Sequence, residues 1–201
     1  MMRRYLRIIL AVFLGLVPVV SAQTQPSSAK PTYEIEVLPV VESSLQQMWE
    51  SADTVAEVRI ESSIPTAITR LPFHGRERLP LVRTLHTSTV LRVLKGALNP
   101  GSTIVFSQQA GEVELSDHIV RIDGPPPLAT QQRYVVFLRR QQQPAGDDWL
   151  LLGERDGAFK LHDGRVEPQG FGRVAKEHVN LRERAFNDEL QRLAARTRPN
   201  A

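Results

Sequence analysis

The side chains able to bind a metal or transfer protons in this 201-residue chain include five histidines, and the chain has no cysteine. The two histidines nearest in sequence are 12 residues apart; the full set is His74, His86, His118, His162 and His178. Zinc sites commonly draw two ligands from a short spacing, and no such pair is present. His118 follows Asp117 and His162 precedes Asp163, but adjacent residues of a strand face opposite sides. The spacing therefore predicts no metal site and no cofactor, with histidines exposed to solvent as the simpler interpretation.

No sequence motif marks a catalytic nucleophile. The zinc-protease pattern H-E-x-x-H, the glycine-rich phosphate loop and the G-x-S-x-G turn of serine hydrolases are all absent from the sequence. Asp147, Asp148 and Asp156 lie in segments of turn composition, where local hydrogen bonding to the backbone explains an aspartate. The sequence therefore predicts a non-catalytic protein. A periplasmic or secreted hydrolase, or a metal-dependent enzyme using His118 or His162, is the alternative left open.

Residues 63–82, SIPTAITRLPFHGRERLPLV, combine three prolines with no hydrophobic period, which predicts a long loop. Long loops in compact domains are often functional. This one brings together an aromatic ring, an imidazole, two guanidiniums and an acid: Phe73, His74, Arg76, Arg78 and Glu77. Such groups can clamp an acidic or sugar-like ligand. We therefore predict ligand binding by Phe73, His74, Arg76 and Arg78, with a polar loop that binds nothing as the competing interpretation.

The first residues, MMRRYLRIILAVFLGLVPVVSAQ, have the three parts of a secretory signal peptide. Three arginines precede an uncharged, largely apolar run at 8–20, and Ser21 and Ala22 supply small residues before a cut. The apolar run is shorter than the ~20 residues that span a bilayer. We therefore predict cleavage after Ala22 and a periplasmic or secreted protein with no stable membrane insertion.

Loss of this segment changes the charge of the protein. The whole chain has 25 basic and 22 acidic side chains, and residues 1–22 contain three arginines and no acid. The remaining chain therefore has 22 of each and a net charge of zero. Without a field of one sign, little draws in nucleic acid or an anionic membrane. The predicted partner is an unidentified protein or small molecule, and not nucleic acid.

The 179 residues left after cleavage of 22 suit a single domain. A polar leader covers 23–32, the main domain is predicted over 33–172, and a C-terminal helix is predicted over 173–197. Ser44 with Gln47 indicates a helix start, so a short helix is predicted near 44–52. Because the chain has no cysteine, no disulfide can brace the domain, and its stability must come from an apolar core.

Alternating apolar and polar residues predict several strands. Ala56, Val58 and Ile60 share one side of a strand, whereas RYVVFLRR has apolar residues on both sides. In TLHTSTVLRVL, His86 falls on the same side as Val90. KGALNPG and LHDGRV have the composition of turns, and QQQPAGDD that of a polar loop.

The C-terminal segment AKEHVNLRERAFNDELQRLAARTRPN predicts an amphipathic helix. Its apolar face is formed by Val179, Phe186, Leu190 and Leu193. Two interpretations remain open: the helix packs on the core of its own domain, or it binds a partner.

The stretches VLKGALNPG, RYVVFL and GERDGAFKLHDGRV, within about 54–168, resemble those of a widespread set of exported bacterial proteins of unknown function. The architecture of that set is similar to the OB barrel of the netrin-module and tissue inhibitor of metalloproteinases group. The resemblance implies a mainly β fold with a five-stranded OB-like barrel. The inhibitors reach a protease zinc through an N-terminal cysteine, and this chain has no cysteine, so that mechanism does not transfer. Turn and core signatures of this kind imply a fold and carry no chemistry.

Overall fold

The structure is a computed structural model, and it describes residues 30, 32–36, 44–69, 80–123, 126–143, 146–153, 156–170 and 172–197. Apart from Lys30, these residues belong to one compact unit, Pro31–Ala201. The predicted signal peptide and most of the predicted leader lie outside the described residues.

Ten strands and three helices make up the described part of the chain. In order they are β1 (Thr32–Glu36), α1 (Leu45–Ser51), β2 (Thr54–Thr69), β3 (Pro80–Lys95), β4 (Thr103–Gln108), β5 (Glu112–Glu114), β6 (Ile119–Asp123), β7 (Arg133–Gln143), β8 (Gly146–Leu151), β9 (Ala158–His162), β10 (Arg165–Pro168), α2 (Arg173–His178) and α3 (Glu183–Thr197).

Five strands close into a barrel in the ring order β7, β2, β3, β4, β8 and back to β7. All neighbours in the ring are antiparallel except β4 and β8, which pair in parallel and complete the closure. The predicted fold class is therefore confirmed: a mainly β chain with a five-stranded OB-like barrel, a short helix near its N-terminus and a C-terminal helix.

Two further β elements extend the barrel. The hairpin of β9 and β10 continues the sheet from the first half of β7, while β8 takes the second half. A separate three-stranded sheet has the order β1, β6, β5, with β1 parallel to β6. Val120 and Ile122 of β6 pack against Val82 of β3, which joins this small sheet to the barrel.

The barrel interior is filled by the alternating apolar residues that the sequence pattern placed on one side of each strand. Ala56, Val58 and Ile60 of β2 lie in the same cluster as Val136 and Leu138 of β7. The neighbouring residues Val135 and Phe137 point the other way and enter a second core, which includes the helices. Strand β7 is therefore covered on both faces, as predicted.

Helix α1 is fixed at both ends by specific hydrogen bonds. Ser44 Oγ accepts from the Gln47 amide at 3.2 Å, an N-cap that the sequence predicted. At the other end, Lys95 Nζ donates to the carbonyl of Trp49 at 2.7 Å. The next residue, Gly96, has φ +99°, and a Cβ there would lie 2.9 Å from a backbone carbonyl oxygen. The stretch VLKG therefore serves to join the end of β3 to α1.

The C-terminal segment forms two helices rather than the single helix predicted over 173–197. The chain turns between α2 and α3, where Asn180 adopts φ +61°. Phe186, Leu190 and Leu193 are buried in the second core, whereas Val179 lies outside both helices and is 57% exposed. The prediction that Val179 shares the apolar face was therefore wrong.

An ion network ties α3 to the barrel wall. Glu57 of β2 is buried, and Arg133 Nη2 lies 2.7 Å from one of its carboxylate oxygens while Arg92 Nη2 lies 3.3 Å from the other. Arg133 also contacts Glu183 at 3.2 Å, and Arg92 donates to Asn187 Oδ1 at 2.6 Å. Burial of both the apolar face and this carboxylate shows α3 docked on its own domain.

Strands extend into two segments that were predicted as loops. Within 63–82, β2 continues to Thr69 and β3 begins at Pro80. QQQPAGDD also belongs to a hairpin, because β7 reaches Gln143 and β8 starts at Gly146. Backbone hydrogen bonds across a ladder need no hydrophobic alternation, so the side-chain pattern does not reveal these extensions.

Candidate functional site

The residues predicted to bind a ligand, Phe73, His74, Arg76 and Arg78, lie outside the described residues. The strands that lead into and out of their segment are described: Thr69 ends β2 and pairs with Pro80, which begins β3. The described side chains towards this end of the β2–β3 hairpin form a polar row and an adjacent cleft.

A row of polar side chains crosses the strands here. Ser63 faces His86 across the ladder, and Thr84 faces Gln108. His86 Nδ1 lies 2.9 Å from Ser63 Oγ, and His86 Nε2 lies 3.0 Å from Gln108 Oε1. Thr84, His86 and Gln108 are all buried, so these hydrogen bonds replace those that water would make.

Ser63, His86 and Gln108 are ordered like a nucleophile, a base and an orienting group, but their environment does not suit catalysis. Burial lowers the pKa of His86 to about 4, although its hydrogen bond with Gln108 acts in the opposite direction. A general base works best when its pKa is near the working pH. The imidazole has no exposed surface, and Ser63 Oγ donates to the carbonyl of Leu128 at 2.8 Å. The row is therefore an internal brace.

This row corrects the interpretation of the histidines as solvent-exposed. His86 is 0% exposed and His178 is 6% exposed, whereas His162 has about half of its side chain exposed. For His86, the alternation of the strand pointed towards burial, because it placed His86 on the same side as the apolar residue Val90. Nothing in the sequence showed that this was the inner side.

Beside the polar row lies an open cleft of about 390 Å³, which we call the proline cleft. Its lining is mostly apolar and includes three prolines. The lining residues are Pro65, Gly111, Glu112, Arg121, Ile122, Pro126 and Pro127. Gly111 has φ +99°, and a Cβ there would lie 2.9 Å from Thr84 Oγ1. Glycine therefore lets the chain pass close to the polar row and form one wall of the cleft.

Pro126 and Pro127, which also line the cleft, are held by the residues that follow them. Leu128 is buried in the barrel interior, and its carbonyl accepts the Ser63 hydroxyl. The amide of Ala129 donates to the hydroxyl of Tyr134 at 3.0 Å. The two prolines are thus fixed by an apolar anchor and two hydrogen bonds. Proline restricts the backbone at Pro126 and Pro127, but no local sequence pattern assigns these residues to a site.

The rim of the proline cleft carries one ion pair. Arg121 Nε donates to Glu112 Oε2 at 2.7 Å across the β5–β6 ladder. Both side chains are about half exposed, so the pair contributes little to stability. It places a positive and a negative group next to an apolar floor, an arrangement suited to a ligand with an apolar body and a polar end.

The two histidines named for a metal-dependent alternative contact the acids adjacent to them. His118 Nδ1 lies 2.6 Å from Asp117, and this hydrogen bond lowers the pKa of Asp117. His162 Nε2 lies 3.1 Å from Asp163. Among the described residues, no group of three or more histidines and acids could hold a metal ion.

A larger cleft of about 490 Å³ lies near the turn after β3, lined by Asp53, Thr54, Gly96, Ala97, Arg140 and Trp149. The charged and aromatic groups of this cleft, Asp53, Arg140 and Trp149, contact one another and are therefore less available to a ligand. The Arg140 guanidinium lies 5.5 Å from the centre of the Trp149 ring, and Asp53 Oδ2 accepts from the Arg140 amide at 2.7 Å. The lining of the proline cleft is apolar over a larger share of its surface, so it is the stronger candidate for a ligand with an apolar body.

No protein-family model matches the chain, and none of the curated proteins matches it in sequence. The resemblance to exported OB-like proteins and to the netrin-module group stays a prediction. In the part of the chain that the structure describes, no helix is both long enough and apolar enough to cross a membrane.

Proposed function

We propose that this protein is an exported, non-catalytic binding protein that holds a small amphipathic molecule in the proline cleft. The observation that carries the proposal is a preformed apolar cleft, braced by hydrogen bonds, with an ion pair at its rim. Its volume of about 390 Å³ falls within the usual range of small-molecule sites. A neutral mature chain also favours such a ligand over nucleic acid.

The cleft walls favour binding because little freedom is lost when a ligand enters. Proline side chains have almost no rotamer entropy to lose, and Leu128 anchors the segment beside them. A preorganised site loses less affinity to ordering than a flexible one. Ligand binding by Phe73, His74, Arg76 and Arg78, which lie between β2 and β3 in the sequence, stays a separate proposal.

A titration with 2-naphthoate, an aromatic body carrying one carboxylate, tests the cleft. We expect saturable shifts in the amide NMR signals of Gly111, Glu112 and Ile122. Pro126→Glu puts a charge on the apolar wall and should weaken binding by about tenfold or more. The matched control is Pro100→Glu, at an exposed proline in the turn after β3.

Loss of affinity in both proline variants, or in neither, would count against the cleft, as would shifts that do not saturate. The alternative, a metal-dependent enzyme, predicts a different result. Stoichiometric zinc in the purified protein, lost in His118→Ala or His162→Ala, would replace the binding proposal with a metal-dependent one.

A further inference from the structure

A third cleft, of about 250 Å³, lies where the three helices meet, and we call it the three-helix cleft. Its floor is formed by three buried side chains, Leu45 of α1, His178 of α2 and Leu193 of α3. Its walls are polar and charged: Ser44, Gln46, Glu177, Glu189, Arg192 and Arg196. It shares no lining residue with the proline cleft.

The two acids in this cleft already have partners. Glu177 Oε1 accepts from Arg173 Nε at 2.7 Å, and Glu189 Oε2 lies 3.3 Å from His178 Nε2. Both acids therefore contact partners other than the arginines of α3.

The two arginines of the cleft, unlike its two acids, form no ion pair with a described side chain. Arg192 and Arg196 are four residues apart and therefore lie on the same face of α3. Arg192 Nε donates weakly to the carbonyl of Asp188, at 3.3 Å. Neither guanidinium forms an ion pair with a carboxylate of the described residues. Because Glu177 is paired with Arg173, one acid and two arginines remain in the lining, which leaves a net positive charge.

We propose that the three-helix cleft binds a small organic carboxylate. Arg192 and Arg196 would hold the carboxylate, because a guanidinium offers parallel N–H donors that match its two oxygens. The apolar body of the ligand would rest on Leu45 and Leu193. Because Glu177 and Glu189 line the same cleft, little net positive charge is available to a ligand, so a monoanion suits the cleft better than a dianion such as hydrogen phosphate.

The floor of the cleft is rigid enough to be selective. His178 Nδ1 donates to the carbonyl of Val174 at 2.7 Å, and the ring packs edge-on against Phe159 and Phe186. Because both ring nitrogens already face oxygen atoms, His178 has no nitrogen left to activate Ser44. Ser44 Oγ itself caps α1. The arrangement therefore supports binding and provides no nucleophile with a base.

Titration of the full-length protein with sodium benzoate tests the proposal. We expect saturable shifts of the His178 ring signals and of the Arg192 and Arg196 side-chain signals, with a Kd of about 1–10 mM. The double variant Arg192→Gln/Arg196→Gln should weaken binding by about tenfold or more. Arg184→Gln, an exposed arginine of α3 that does not line the cleft, is the matched control and should bind normally.

Three results would overturn the proposal: no saturation up to about 50 mM benzoate, equal binding by the double variant and the wild-type protein, or tighter binding of inorganic phosphate than of benzoate. Pro126→Glu should leave the His178 shifts unchanged. That comparison separates this site from the proline cleft, so one can fail without the other.

Discussion

At the scale of single residues, His86 links the barrel interior to the pH of the solution. Burial lowers its folded pKa to about 4, whereas an exposed histidine in the unfolded chain titrates near 6.5. Between these values the unfolded chain takes up a proton that the folded chain does not. The His86 contribution is therefore fully present above pH 6.5 and is lost as the pH falls towards 4.

We expect this loss to be about 3 kcal/mol of unfolding free energy, since each unit of pKa shift corresponds to ~1.4 kcal/mol. Urea unfolding at pH 7, 5 and 4 measures it. His86→Gln removes the titrating group and should flatten the profile over this range. His162→Gln, at a far more exposed histidine, should keep the wild-type slope. Parallel slopes for the wild-type protein and His86→Gln would contradict the assignment.

Residue-scale patterns predicted more of the fold than of the site. Alternation correctly grouped Ala56, Val58 and Ile60, because one covered face leaves a period of two in the sequence. The proline cleft has no such signature. Pro65 and Pro127 lie far apart in sequence and come together only when β2 and the segment before β7 are both in place. Convergence of that kind depends on the tertiary fold, which a local pattern does not encode.

At the scale of elements, the C-terminal segment shows where helical periodicity misleads. The pattern joined Val179 to Phe186 as one apolar face, but the positive φ of Asn180 turns the chain between them. Phe186 has no exposed surface, and its ring centre lies 4.9 Å from that of Phe159. The apolar face that packs on the domain therefore begins at Phe186, within α3.

These two residues provide a matched pair for testing how α3 docks. Phe186→Ala should cost about 3–5 kcal/mol of unfolding free energy through lost burial and a cavity in the second core. Val179→Ala should change it by less than about 0.5 kcal/mol, as expected for an exposed position. Denaturant unfolding measures both. Similar small costs would mean that the helix is only loosely attached.

Strand β7 lies at the centre of the molecule. Its side chains enter both cores, and its backbone pairs with three strands, β2, β8 and β9. Its inner residues fill the barrel, and its outer residues meet α1, α3 and the β9–β10 hairpin. The proline cleft adjoins the barrel and the small sheet, whereas the three-helix cleft lies on the helices. Such a fold allows two ligand sites that share no side chains, which is why the two binding proposals are independent.

Export, which we propose from the signal-peptide pattern of residues 1–22, leads to a prediction about the whole chain. Every described strand and helix lies C-terminal to the predicted cleavage point, so we expect the chain that begins at Gln23 to fold without this segment. Its formal net charge should fall from +3 to zero, because three arginines are lost. N-terminal sequencing of protein released by osmotic shock should find Gln23, and isoelectric focusing should place it well below the pI of about 9.6 of the full chain. Intact Met1 in a membrane fraction would refute both cleavage and release.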